Sequence, residues 1–248
     1  MKLGIISDVH ANIIALEAVL ARLREAEVDQ IICLGDLVGY GTAPNEVIER
    51  LQQEQLDCTL GGSDEQLAFD FAARKRNGVA DKTIAWTRSV IEPQHISYLR
   101  ELPIQARLRT PIGRLRYFHS TMHSTNDKLD AGASDKVLNK LLEECKCRIL
   151  VFGRSHVPVA KKLDNGWLIN PGSVGLSLNG EPGADYVVVD ITPDKVDIHM
   201  DKAEYDYAAV GFEIASWGLP EVIIEAVRLG RMPIEQPKVR IHKIGRGE

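Results

Sequence analysis

Five short polar segments hold most of the side chains able to do chemistry: Asp8-Val9-His10, Gly35-Asp36, Gly61-Gly62-Ser63-Asp64, His119, and Gly153-Arg154-Ser155-His156. Carboxylates and neutral imidazoles together form a mixed oxygen and nitrogen donor set. Such a set suits Mn²⁺, Fe²⁺, Ni²⁺ or Zn²⁺ better than Ca²⁺ or Mg²⁺. Taken alone, Asp8-Val9-His10 carries little information, because that spacing arises easily by chance. Placement adds the specificity, since each segment closes an apolar, strand-like run. In open α/β sheets ligands bind beyond the carboxyl ends of the strands, so these five segments are expected to meet in one place.

The scaffold that must deliver them alternates strands and helices. Residues 2–7 read as a buried strand, and residues 12–27 then place Ile13, Leu16, Val19, Leu20 and Leu23 on one helical face, with Arg22, Arg24 and Glu25 opposite. Strand signals at 30–34 and 57–60 flank a helical pattern at 44–55. The first 60 residues are therefore consecutive β-α-β units, with a parallel sheet and right-handed crossovers. Residues 64–102 predict helices throughout, punctuated by Asn77-Gly78 and Pro93, an insertion able to cover the edge of a site. From Ile104 short strands dominate, at 104–108, 115–119, 148–152, 157–163, 167–170, 186–191 and 196–200, and only the helix at 134–145 interrupts them. Many strands with few helices imply two sheets packed face to face and flanked by helices. Amphipathic helices are expected at 206–216 and 220–229, and the run from 236 to 248 is a basic tail, either a solvated end or a docking arm. The expected organisation is a sandwich core over 1–205 including the 64–102 insertion, C-terminal helices at 206–235 packed on the core, and the tail.

Composition bounds the rest. The chain has 248 residues, 44% hydrophobic and 26% charged, which excludes disordered and fibrous classes. Its 30 basic and 35 acidic residues give a net charge of −5, so charge gives no reason to expect nucleic acid or an anionic membrane as partner. No apolar run approaches the ~20 residues of a membrane helix, and the first residues enter a strand with no basic-then-apolar leader, so a cytoplasmic protein is expected. Cys33, Cys58, Cys145 and Cys147 read as reduced core thiols. Cys145-Lys-Cys147 is too short for a zinc knuckle.

Three segments together, Ser7-Asp8-Val9-His10-Ala11-Asn12, Gly35-Asp36-Leu37-Val38-Gly39-Tyr40-Gly41 with Pro44-Asn45, and Ile169-Asn170-Pro171-Gly172-Ser173-Val174-Gly175, make the chain resemble the calcineurin-like metallophosphoesterases of the single-domain bacterial and archaeal type. The resemblance implies a four-layer α/β/β/α sandwich. It also implies two metals bridged by the aspartate of the Gly-Asp segment, with a bridging hydroxide attacking phosphorus in line. Carried over residue by residue, Asp8, His10, Asp36 and His156 match the ligands of the first metal. At the second, Asp36 and His119 match, but the asparagine position reads Gly62 and the first histidine of the Gly-His-x-His motif reads Arg154. The histidine that contacts the phosphoryl group reads Ser63, while Asp64 remains. One intact cation site, a second lacking two ligands, and Arg154, Asp64 and His119 as catalytic candidates are therefore expected.

Arg154 has two readings: its guanidinium forks onto phosphoryl oxygens, or it fills the vacant position with a salt bridge to Asp36 or Asp64. His123 is read either as a substitute imidazole or as a solvated loop residue, while His95, His199 and His242 have no motif context. Asn12 doubles as a helix cap, and residues 170–175 as a turn beside the site. Three functions follow: a metal-dependent phosphoesterase, a phosphodiesterase or broad phosphatase acting on small phosphate esters or nucleotides; a binding protein that senses such a ligand without turnover; or a scaffold using its tail and C-terminal helices. Metal identity and oligomeric state, a homo-oligomer included, stay open.

Overall fold

β1 (Lys2–Ile6) has four buried residues out of five, as expected of a strand covered on both faces. In the computed structural model, which describes residues 1–69 and 78–233, it pairs in parallel with β2 (Gln30–Cys33) and antiparallel with β9 (Ala184–Ile191). With β3 (Asp57–Cys58) and β10 (Val196–Ala203) they form a five-stranded sheet ordered β10-β9-β1-β2-β3. A second sheet, ordered β4-β5-β6-β8-β7, contains β4 (Gln105–Thr110), β5 (Gly113–Phe118), β6 (Ile149–Phe152), β7 (Val159–Leu163) and β8 (Gly166–Asn170). Both sheets are mixed.

An apolar layer between the sheets joins Leu3, Ile5, Ile32 and Val187 to Leu115, Tyr117, Ile149 and Ile169. On the outer face of the first sheet lie α1 (Ile13–Glu25) and α2 (Pro44–Gln53), with Leu16, Val19, Leu20 and Leu23 of α1 packed into one cluster with Ile6, Cys33 and Val188. Each such leucine contributes about 1.5–3 kcal/mol by burial, so a charge at Leu20 would cost the helix its seat. Across the molecule, Leu138, Leu142 and Cys145 of α6 (Asp135–Cys145) pack against Phe118, Leu150, Phe152 and Leu168. The four layers are thus helix, sheet, sheet and helix. The stretch after β3 forms α3 (Gly62–Ala68), α4 (Val79–Val90) and α5 (Pro93–Glu101), and the chain then closes with α7 (Tyr207–Ser216) and α8 (Glu221–Leu229). The expected basic tail and His242 lie outside the described residues. All four cysteines are buried and unpaired. No helix among the described residues is long and apolar enough to cross a membrane.

Strand register brings the polar segments level. Ile6 lies opposite Cys33 in the parallel β1–β2 pair, so Asp8 and Asp36 leave their strands side by side. In the second sheet Phe118 lies opposite Phe152 and Val151 opposite Ile169, so His119, Gly153 and the turn that begins at Asn170 leave their strands at the same end.

Candidate metal centre

Backbone hydrogen bonds tie these strand ends together. Asp8, His10 and Ala11 donate to the carbonyls of Gly35, Asp36 and Leu37 at 2.9, 2.9 and 2.8 Å, and Gly153 N donates to His119 O at 2.8 Å. Of the ten non-glycine residues with positive φ among those described, seven are in these loops: Asp8, His10, Ala11, Asp36, Tyr40, Arg154 and His156. Left-handed backbone is costly for such residues, so the surrounding lattice must hold it. The loop after β8 adds further restraint. Ser173 Oγ donates to Asp8 O at 2.8 Å, Val174 N donates to Ser7 O at 3.0 Å, and Asn170 Nδ2 donates to Gly153 O at 2.9 Å. The loop read as a turn beside the site thus fixes the backbone of Asp8. Asn12 accepts from Ala15 N at 3.1 Å, the helix cap expected of it.

The side-chain donors converge. His10 Nε2 lies 3.1 Å from His156 Nε2 and 3.8 Å from Asp8 Oδ1, and His156 Nε2 lies 3.2 Å from that same oxygen. Each imidazole has its other nitrogen on a carbonyl, His10 Nδ1 at 3.2 Å from Val38 O and His156 Nδ1 at 2.7 Å from Leu176 O. Carbonyls only accept, so in the neutral rings Nδ1 carries the proton and both Nε2 lone pairs face inward. Asp8 Oδ1 is buried without a hydrogen bond of good geometry. Lone pairs from two nitrogens and a carboxylate oxygen therefore meet with no donor among them, an arrangement that a divalent cation satisfies.

Electrostatics agree. Burial pushes His10 down to about 4, outweighing the charges of Asp36 and Asp8. Burial acts the same way on His156, but the charge of Asp8 prevails and raises it above its usual value. Burial would raise the Asp8 carboxyl, yet His156, His119 and His10 together hold it well below the usual carboxylate range. A proton on His156 occupies the position that a metal would otherwise take.

Asp36 spans two groups of donors. Its Oδ2 lies 3.8 Å from His10 Nε2 and its Oδ1 lies 3.5 Å from His119 Nε2, while His119 Nδ1 is buried without a partner. Ser63 orients this carboxylate, its N–H 2.8 Å from Oδ1 and its hydroxyl 3.2 Å from Oδ2. Asp64, expected among the catalytic groups, is fully buried and accepts from the backbone N–H groups of Leu37 at 2.8 Å, Val38 at 3.2 Å and Gly61 at 3.0 Å. Both its oxygens are taken by backbone, so it holds the Asp36 loop rather than facing the donors. Its carboxyl is pushed up to about 7 by burial and by the charge of Asp36, against the pull of the Gly61 N–H.

Arg154 anchors to the centre through its backbone N–H, 3.2 Å from Asp8 Oδ2. Among the described residues no carboxylate pairs with its guanidinium, so the salt bridge to Asp36 or Asp64 is not formed. His123 is exposed and does not join the converging donors.

Residues 1–194 match the calcineurin-like phosphoesterase superfamily domain. The chain belongs to that superfamily. Among its relatives are an uncharacterized protein of Methanocaldococcus jannaschii, 28% identical over 246 residues with 92% of this chain and 98% of the relative covered, and the phosphodiesterase YfcE of Escherichia coli, 27% identical over 198 residues with 77% and 88% covered. A solved metallophosphoesterase from Sphaerobacter thermophilus superposes with a TM-score of 0.76 at 26% identity, covering 93% of this chain and 99% of that one. Within this calcineurin-like fold the two donor groups, Asp8–His10–His156 and Asp8–Asp36–His119, are buried.

Two neighbours of the centre escaped the sequence reading. Tyr40 packs edge-on against the His10 ring, centroids 4.7 Å apart; its signal was a bulky residue between Gly39 and Gly41. Asn126 reaches the backbone of Gly62 from a loop that carries no motif, so no sequence signal announced it.

Proposed function

We propose that this calcineurin-like phosphoesterase hydrolyses small phosphate esters, with diesters of good leaving groups favoured, using one tightly held transition-metal ion and Arg154. The observation that carries the reading is the meeting of two imidazole lone pairs and an orphaned carboxylate oxygen at Asp8, His10 and His156. Those three residues with Asp36 would hold the ion; Mn²⁺, Fe²⁺, Ni²⁺ and Zn²⁺ all suit that donor set. A bound divalent cation supplies Lewis-acid charge for the phosphoryl oxygens and acidifies water at neutral pH.

The chain's own groups do the rest. Asp36 is held by Ser63 so that one oxygen faces each donor group. Arg154, free of carboxylate partners among the described residues, presents a fixed fork of donors to the phosphoryl oxygens and cannot lose its proton. Ser63 cannot protonate a departing alkoxide as an imidazolium would, which biases turnover toward leaving groups that need no proton.

The test is hydrolysis of an aryl phosphodiester by chelator-stripped protein supplied with each of the four ions. Restoration by at least one ion supports the reading. Binding of a nucleotide or phosphate with no turnover under any ion would favour a sensor that binds without hydrolysis.

A further inference from the structure

Asn45, on the first turn of α2, fixes the tautomer of a histidine that the metal centre does not use. Its Nδ2 donates to Val90 O at 3.0 Å, so its Oδ1 is the acceptor that receives the Glu92 N–H at 2.9 Å. His95 Nδ1 lies 2.8 Å from that same oxygen and must carry a proton to donate there. In a neutral ring held this way Nε2 is a bare lone pair, and it makes no hydrogen bond with a described residue. His95 is 3% exposed, so packing commits the ring to this direction.

What Nε2 faces is negative. Glu49 Oε1 lies 3.8 Å away, and a carboxylate oxygen of Glu92 completes a group of three donor atoms that all lie within 4.8 Å of one another. Glu49 is one helical turn beyond Asn45 on α2, while Glu92 and His95 flank the first turn of α5. Carboxylates only accept, so an imidazole lone pair aimed at two of them is satisfied by a cation. Ligands 2.0–2.2 Å from a shared ion stand at most about 4.3 Å apart, so Glu49 and His95 are already within range of one ion. Both glutamates are exposed, and rotation of their side chains closes the remainder.

We propose that Glu49, Glu92 and His95 form a further divalent-cation site that clips α2 to the start of α5. The nitrogen donor favours Zn²⁺ over Ca²⁺ or Mg²⁺, the two carboxylates balance its charge, and water completes the coordination. The site shares no residue with the metal centre and does not depend on how that centre is filled. Ordering two exposed glutamates costs side-chain entropy, so it binds more weakly than the buried donors do. From α5, Arg100 Nε donates to Ala68 O at 2.8 Å, so the clip bears on α3, the helix that carries Ser63 and Asp64.

The experiment is equilibrium dialysis of the chelator-stripped full chain against Zn²⁺, on the parent and on the double variant Glu49→Gln with Glu92→Gln. Beyond its tight ion, the parent is expected to bind a weaker Zn²⁺ whose affinity falls at least tenfold in the double variant, with tight binding unchanged. Both glutamates are exposed, so the variant should fold, which circular dichroism checks. His10→Ala should keep the weaker ion. In the parent, binding of that ion should shift the ¹⁵N resonance of His95 Nε2. A weaker ion that survives the double variant or disappears in His10→Ala, a His95 resonance that does not move, or a parent without the weaker ion overturns the assignment. Loss of the tight ion alone bears on the metal centre and leaves this site standing.

Discussion

Gly61 and Gly62 are neighbours in sequence, yet adding one methyl group to each should have opposite consequences. Gly61 has φ −94° and ψ 174°, angles open to any residue, so backbone strain plays no part in Gly61→Ala. Space is the issue. A Cβ there would fall about 1 Å inside the 3.0 Å limit that real Cβ atoms keep, against Asp36 N, which is backbone and cannot swing aside. Asp36 must retreat by about that distance, taking its carboxylate away from His10 and His119. Overpacking of this kind costs about 1–3 kcal/mol, or about 2–12 °C in Tm for a chain of this size. A 1 Å displacement of a reacting group costs about 10²-fold in rate. A Cβ on Gly62 would meet the end of the exposed Asn126 side chain at 3.0 Å, which can swing aside, and the Thr125 carbonyl oxygen at 3.3 Å, which needs to give by only a few tenths of an ångström, while alanine favours the helix by about 1 kcal/mol over glycine. Gly62→Ala should therefore keep its Tm within a few degrees of the parent. Thermal unfolding and aryl phosphodiester hydrolysis at saturating metal read both variants. A Gly61→Ala protein as stable and active as the parent, or a Gly62→Ala protein that is the less stable of the two, would refute the packing argument.

The metal site should respond to pH through His156. Its imidazole is raised above its usual 6.5 in the metal-free protein and must be neutral to ligate, so affinity should fall about tenfold per pH unit below that point and level off above it. His10, pushed down to about 4, should add no proton competition near neutrality; calorimetric titrations across pH check both, and a pH-independent affinity contradicts them. Arg154→Met should lower kcat/KM about 10- to 100-fold, the loss of a charge-assisted hydrogen bond, while tight metal binding persists; unchanged kinetics would remove Arg154 from phosphate recognition. An aryl phosphodiester should be cleaved much faster than an alkyl one, since Ser63 offers no acidic proton to the leaving group, and equal rates would oppose this.

Much of the site was legible because its signals are local. The apolar run of β1 followed by Asp8 and His10, and β2 followed by Asp36, needed only parallel register to become neighbours, and Ile6 opposite Cys33 provides it. The many strands and few helices pointed to two packed sheets flanked by helices, and the family resemblance implied the four layers. Roles that depend on where a side chain's oxygens end up were not legible. Asp64 reads as a chemical group in sequence, but three backbone N–H groups claim its carboxylate. Asn126 lies more than sixty positions beyond Gly62, and only the folded loop brings its amide there. Arg154 left two readings open, and among the described residues its guanidinium forms no ion pair with Asp36 or Asp64, its one contact at the centre being the backbone N–H on Asp8.

The central claim is that a transition-metal ion belongs among Asp8, His10, Asp36 and His156. Equilibrium dialysis against Mn²⁺, with metal content determined by elemental analysis, tests it most directly on the parent and on His10→Ala. The expected result is one tightly bound ion per chain in the parent and its loss in the variant, with both proteins folded by circular dichroism. A parent that retains no ion, or a His10→Ala protein that binds as tightly as the parent, would contradict it.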